Sequence, residues 1–106
     1  MIIVEMHLNV TPQERMNVLS LIHSMVGPTS VKTGCLFCGF FSSTQNDDEL
    51  ILLEKWESEA ELERHIRSDD FQKVLAAVDI AKMLPEISFN KVSSTEGMDF
   101  VEKIRE

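Results

Sequence analysis

The chain lacks a long apolar run. Its uninterrupted hydrophobic stretches are only a few residues, far short of the roughly 20 that cross a bilayer, so no membrane span is expected. It also lacks a basic excess. Ten Lys and Arg stand against eighteen Asp and Glu, a net charge of −8. That argues against nucleic acid or an anionic membrane as the main partner, because phosphate binding needs a basic footprint. The opening "MIIVEMHLNV" has neither the basic start nor the small-residue cleavage site of a secretory signal, which makes a cytoplasmic location the expectation. Cysteine is scarce, two residues in "CLFC", too few for a disulfide framework. GxGxxG, P-loop, GxSxG and HExxH patterns are all missing, so any catalysis is expected to do without nucleotide, flavin or metal.

What is there fits one soluble domain. The chain has 106 residues, with 43% hydrophobic and 26% charged, ordinary values for a globular protein. A domain this small has a modest core, and a second copy of itself would enlarge it.

The apolar pattern changes period along the chain. In "IIVEMHLNV", Val4, Met6 and Leu8 alternate with Glu5, His7 and Asn9, as in a strand. "TPQE" then starts a helix, with Thr11 as N-cap, Pro12 at the first helical position and Glu14 closing a capping box. Its apolar stripe reads Met16, Leu19, Ile22, Val26, and "GPTS" is expected to end it. "CLFCGFFSS" and "LILLEKW" flank the polar turn "TQNDDE" and predict a hairpin over residues 35–56, bent at Gly39. Ser58 with Glu61 begins a second helix to about Ile66, and Ser68 caps a third over roughly 69–83, stopped by Pro85. "EISFNKVS" is a last strand. Ser93 with Glu96 starts a short tail helix with Phe100 and Ile104 on one side.

The order β-α-β-β-α-α-β predicts an α+β fold, a ferredoxin-like antiparallel sheet with helices on one face. Leu50, Ile51, Leu52 and Leu53 make both faces of one strand apolar. Antiparallel sheets usually have one wet face, so the outer face is expected to pack on a second subunit.

Few residues could carry chemistry. His65 shares a helical stripe with Leu62, Ile66 and Asp69 and faces the sheet. It is either a half-buried ring held by a backbone carbonyl or a general base at a pocket edge. Trp56 is a core residue or a flat wall for an aromatic ligand. Cys35 and Cys38 are three apart on a strand, which should put them on opposite faces as free, structural thiols. His7 and His23 have no partner visible in sequence. Arg64 and Arg67 flank His65, and helical geometry turns both from its stripe.

"EKWESEAELERHIRSDDFQKV" resembles the antibiotic biosynthesis monooxygenase family of dimeric α+β barrels. The residues that match its pattern are Trp56, Ser58, Glu61, Leu62, His65, Ser68 and Phe71; Gly34 and Cys35 match the opening of its second strand. The resemblance covers residues 1–93 as one domain and leaves 94–106 as a tail helix. It implies a homodimer, with a cavity in each subunit between sheet and helices. It also implies oxidation of a quinol-like or polycyclic phenol by O2 without a cofactor. On that reading His65 is the catalytic base, and Trp56, Asn9 and Phe71 hold the substrate. A branch that degrades haem would need residues other than the Met6, His65 and Leu75 found here. Two alternatives stay open: a small-molecule-binding dimer without turnover, and an isomerase of a small sugar-like metabolite, which would want convergent Arg or Lys.

Overall fold

The computed structural model describes residues 1–81 and 84–106. The elements are β1 (Ile2–Asn9), α1 (Pro12–Ser30), β2 (Cys35–Ser42), β3 (Glu49–Trp56), α2 (Glu59–Ile66), α3 (Asp69–Ala81), β4 (Glu86–Lys91) and α4 (Met98–Arg105). The strands form one open antiparallel sheet in the order β2-β3-β1-β4, the ferredoxin-like arrangement. The last two residues of the predicted third helix, 82 and 83, lie outside the described residues.

Alternation along the two central strands makes the core. Ile2, Val4, Met6 and Leu8 of β1, and Leu50, Leu52, Glu54 and Trp56 of β3, are all buried on the helical side. They meet Val18, Ile22 and Met25 of α1, Leu62 of α2, and Phe71, Val74 and Ala77 of α3. Ile51 and Leu53 are half-buried on the other face. On the same outer face Phe37 and Phe41 of β2 stack, with centroids 6.4 Å apart. Gly39 lies between them, where a Cβ would come within 2.9 Å of the Phe37 ring.

Several local expectations are corrected. The buried stripe of α1 is Val18, Ile22, Met25 and Thr29, and Met16 is exposed. Leu19 and Val26 are half-buried at the margin. The helix also runs through "GP" to Ser30. Pro28 lacks the N–H that would bond the Ser24 carbonyl, and the Lys73 ammonium reaches that oxygen at 3.5 Å instead. Thr11 and Ser58 make no side-chain cap bond, and the tail helix starts at Met98 after Gly97 rather than at Ser93. Backbone bonds close the first two ends, from the Glu14 and Arg15 amides to the Thr11 carbonyl and from the Leu62 amide to Ser58.

A further correction concerns the cysteines. A bulge at Leu36 shifts the β2–β3 register, so that Cys35 lies opposite Trp56 and Cys38 opposite Glu54. Trp56 and Glu54 share the inner face, and residues directly opposite share a face. Both thiols therefore point inward, because the extra residue of a bulge reverses the alternation. Both are free.

Candidate functional site

Two chain reversals build the site. After α1, the turn at residues 31–34 is closed by the Cys35 amide donating to the Lys32 carbonyl at 3.0 Å. Gly34 has φ +85°, and a Cβ there would fall 1.5 Å from Glu61 Oε2. Both the left-handed backbone and the close carboxylate require glycine. The Glu57 amide donates to the Gly34 carbonyl at 2.8 Å, tying this turn to the start of α2.

The second reversal joins α2 to α3. The Ser68 hydroxyl donates to the His65 carbonyl at 2.6 Å and accepts from the Phe71 amide at 3.4 Å, so the predicted cap at Ser68 is formed. Asp69 and Asp70 occupy the first turn of α3, where the helix dipole favours negative charge.

His65 lies between these reversals with 1% of its surface exposed. Its ring stacks on Trp56 at 4.7 Å and 28°, and Phe71 meets it edge-on at 5.5 Å and 88°. Nε2 is 3.3 Å from Glu54 Oε1. The same carboxylate oxygen accepts a better-aligned bond from Trp56 Nε1 at 2.8 Å. On the other side of the ring, Nδ1 is 3.1 Å from Lys32 Nζ. An ammonium has only hydrogens to give, so Nδ1 accepts and the ring carries its proton on Nε2, facing Glu54. Glu54 Oε2 and His65 Nε2 are both buried without a hydrogen-bond partner, so Glu54 faces Nε2 at ion-pair distance and not in an aligned hydrogen bond. The ring nitrogens thus face polar side chains, not the backbone carbonyl expected for a structural histidine, while Trp56 and Phe71 pack on the ring itself.

Above the ring is an open hollow of about 320 Å³ lined by Trp56, His65 and Ser68, with Lys32, Thr33, Glu61 and Arg64 around them. That volume falls at the lower end of small-molecule sites. Arg64 also lines it, while staying exposed and off the buried Leu62–His65 stripe as expected. Phe71 packs behind His65 and is 8% exposed. Asn9 is at the other end of β1: Ile2 lies opposite Trp56 and Asn9 opposite Glu49, a separation of about 23 Å along the strand. It borders a different hollow, of about 480 Å³, with Val10, Asn46 and Asp48.

The structure therefore brings together Trp56, His65 and Phe71 and leaves Asn9 apart. It adds Glu54 and Lys32. Glu54 had a sequence signal: it continues the inward alternation Leu50, Leu52, Trp56, and a carboxylate in a core register calls for a partner. Lys32 had none, since the turn that carries it is 33 residues from His65. His7, on the outer face, finds Glu5 at 3.1 Å and Glu49 at 3.8 Å.

The thiols beneath the site are not reactive. Burial first, and then the nearby Glu54 carboxylate, raise the pKa of Cys35 and push that of Cys38 up to about 12. Thiolate is the nucleophilic form, and these surroundings suppress it. Among the described residues no three His, Cys, Asp or Glu side chains converge as metal ligands would, and no helix is long and apolar enough to cross a membrane.

The fold recurs in solved structures. A conserved protein from Methanosarcina mazei Go1 is 27% identical, with a TM-score of 0.78 over 85% of this chain and 90% of that one. A candidate antibiotic biosynthesis monooxygenase from Deinococcus radiodurans has a TM-score of 0.83 at 13% identity, over 92% and 97%. Rv0793 from Mycobacterium tuberculosis has a TM-score of 0.81 at 18% identity, over 91% and 98%. In sequence, the chain is 23% identical over 96 residues to the uncharacterized protein sll1783 of Synechocystis, covering 90% of this chain and 65% of that protein's length. The family model for antibiotic biosynthesis monooxygenases matches residues 1–77, a span that includes Glu54, Trp56, His65 and Phe71, and this chain belongs to that family.

Proposed function

We propose that the protein is a cofactor-independent monooxygenase acting on a quinol-like or polycyclic phenolic small molecule, as a cytoplasmic homodimer. The observation that carries this reading is the buried Glu54–His65 pair, whose imidazole lines the hollow. Glu54 sits against Nε2 at 3.3 Å, so the ring's lone pair is on Nδ1. A carboxylate that fixes the tautomer and stabilises the imidazolium is the arrangement of a histidine base. The phenolic proton passes to Nδ1, and the electron pair stays on oxygen. The resulting phenolate is electron-rich enough to reduce O2 directly, as the family resemblance implies, and Trp56 supplies a flat apolar floor.

A dimer is supported by the outer sheet face, where Phe37 and Phe41 are 39% and 48% exposed beside Ile51 and Leu53. Contiguous apolar surface of this kind marks an interface.

The test is oxygen uptake with a panel of hydroquinones and anthrones, without added flavin or metal, beside a thermal melt. His65→Gln keeps a hydrogen-bonding side chain but cannot take a proton at neutral pH. Turnover should fall about 10²–10⁴-fold with the melt little changed. Absence of uptake by the unmodified protein on every such substrate would move it to the binding class. One observation favours a second reading, the isomerase: Lys32 and Arg64 both line the hollow, and such cations would suit an anionic sugar-like substrate.

A further inference from the structure

Lys32 makes three contacts with its ammonium group: His65 Nδ1 at 3.1 Å, Ser68 Oγ at 3.0 Å and Asp70 Oδ2 at 3.0 Å. An ammonium has three hydrogens, so each is engaged. One of them caps the only lone pair of the His65 ring. The base is therefore blocked in the ligand-free protein. Yet Lys32 lines the hollow and its side chain is 26% exposed, so a ligand oxygen has access to it.

We infer that Lys32 is a catalytic residue that caps His65 at rest and becomes the holder of the substrate oxyanion when a phenol binds. The inference rests on the reading of His65 as a base. A phenolic oxygen that displaces Nζ from Nδ1, now 3.1 Å away, and sits between the two satisfies both groups. Its O–H donates to Nδ1, and its lone pair accepts from Lys32. The O–H bond breaks, an N–H bond forms at Nδ1, and the electron pair remains on the phenolate oxygen beside Nζ. The new imidazolium faces Glu54 and the new anion faces Lys32, so each charge forms against an opposite one. Ser68 and Asp70 keep their contacts, so only one of the three ammonium bonds changes partner and the rest of the side chain stays anchored. An ammonium aimed in advance at the developing charge is what such stabilisation requires. The same cap keeps the base idle until an oxygen that can be deprotonated arrives, which selects phenols that ionise on binding over neutral flat molecules.

The probe is 4-nitrophenol, whose phenolate is coloured, added to the full chain at a pH where the free phenol is mostly un-ionised. The unmodified protein should bind it as phenolate. Lys32→Met should lower the bound phenolate fraction by about tenfold or more, the size of a one-unit change in acidity from one nearby charge. Lys32→Arg, which keeps the charge, should restore most of it. In the unmodified protein, nitrogen NMR should show His65 Nδ1 passing from hydrogen-bond acceptor to protonated as the phenol is added, a readout independent of whether the Met variant folds. Bound phenolate undiminished in Lys32→Met but lost in His65→Gln would overturn the role of Lys32 and leave the base intact. A probe that stays un-ionised on the unmodified protein, with Nδ1 unchanged, would overturn both.

Discussion

Two neighbouring regions of the molecule treat polarity in opposite ways. Where β3 meets α2, a carboxylate and an imidazole are almost wholly buried: Glu54 is 0% exposed and His65 1%. At the β4–α4 end no residue is buried, although that end carries Ile87, Phe89, Phe100, Val101 and Ile104. The usual distribution is the reverse, with charges outside and large apolar groups inside. Buried charge is expensive unless paired, and here the pairing is made by Lys32, Glu54, His65 and Trp56 together. Exposed apolar surface has no such internal remedy and is relieved by covering it. One region pairs its buried polar groups internally, and the other leaves its apolar groups exposed.

The comparison breaks most readily at Glu54. Glu54→Ala removes the acceptor of Trp56 Nε1 and the anion facing His65, which should destabilise the fold by about 3–5 kcal/mol in urea unfolding. A loss below about 1 kcal/mol would mean the polar core is not coupled. Phe89→Ala, at the bare end, should be far milder.

A second test uses pH. The folded Cys38 thiol ionises near 12 against an ordinary 9.0, chiefly from burial and then from Glu54. Between those values the folded chain holds a proton that the unfolded chain has lost. The stability linked to Cys38 is therefore complete below pH 9 and falls as pH rises toward 12, by about 2–4 kcal/mol in all. Cys38→Ala should flatten that decline, measured as denaturant midpoints across the alkaline range. An identical slope in the variant would show that other groups govern it.

The outer sheet face can be probed without touching the site. The unmodified protein should sediment as a dimer of about 24 kDa, twice the 12.1 kDa chain. Ile51→Lys places a charge on the half-buried outer position and should shift the mass toward the single chain, since an unpaired charge in an interface core is strongly disfavoured. A clean monomer before any substitution would remove the barrel-forming dimer. The smallest effect is expected from deleting residues 94–106: no residue of α4 is buried, so the melt should move by no more than about 0.5 kcal/mol allows. A larger loss would mean that α4 covers a surface in the assembly.

Much of the fold was legible because it depends on local period. Alternation in β1 placed Val4, Met6 and Leu8 on one face, and the polar turns placed the hairpin. The errors occurred where one residue changes phase. Leu36 bulges and brings Cys35 and Cys38 to one face, and the α1 stripe is displaced from Met16 to Val18. Pro28 did not stop its helix because it falls in the last turn, where only one internal bond is lost. Of the site, Trp56, His65 and Phe71 were legible because α2 and α3 follow β3 directly, so short-range geometry places them together.

By itself, the sequence determined the order of elements, the apolar inner face of the sheet and the helix stripe that carries His65. These follow from side-chain periodicity, which acts over a few residues. Only the tertiary structure decided which nitrogen of His65 carries the lone pair. That depends on Lys32 at Nδ1 and Glu54 at Nε2, one 33 residues away and the other across a strand–helix turn. Ring protonation responds to charges within a few ångströms, and a one-dimensional pattern carries no information about which distant residue will occupy that space.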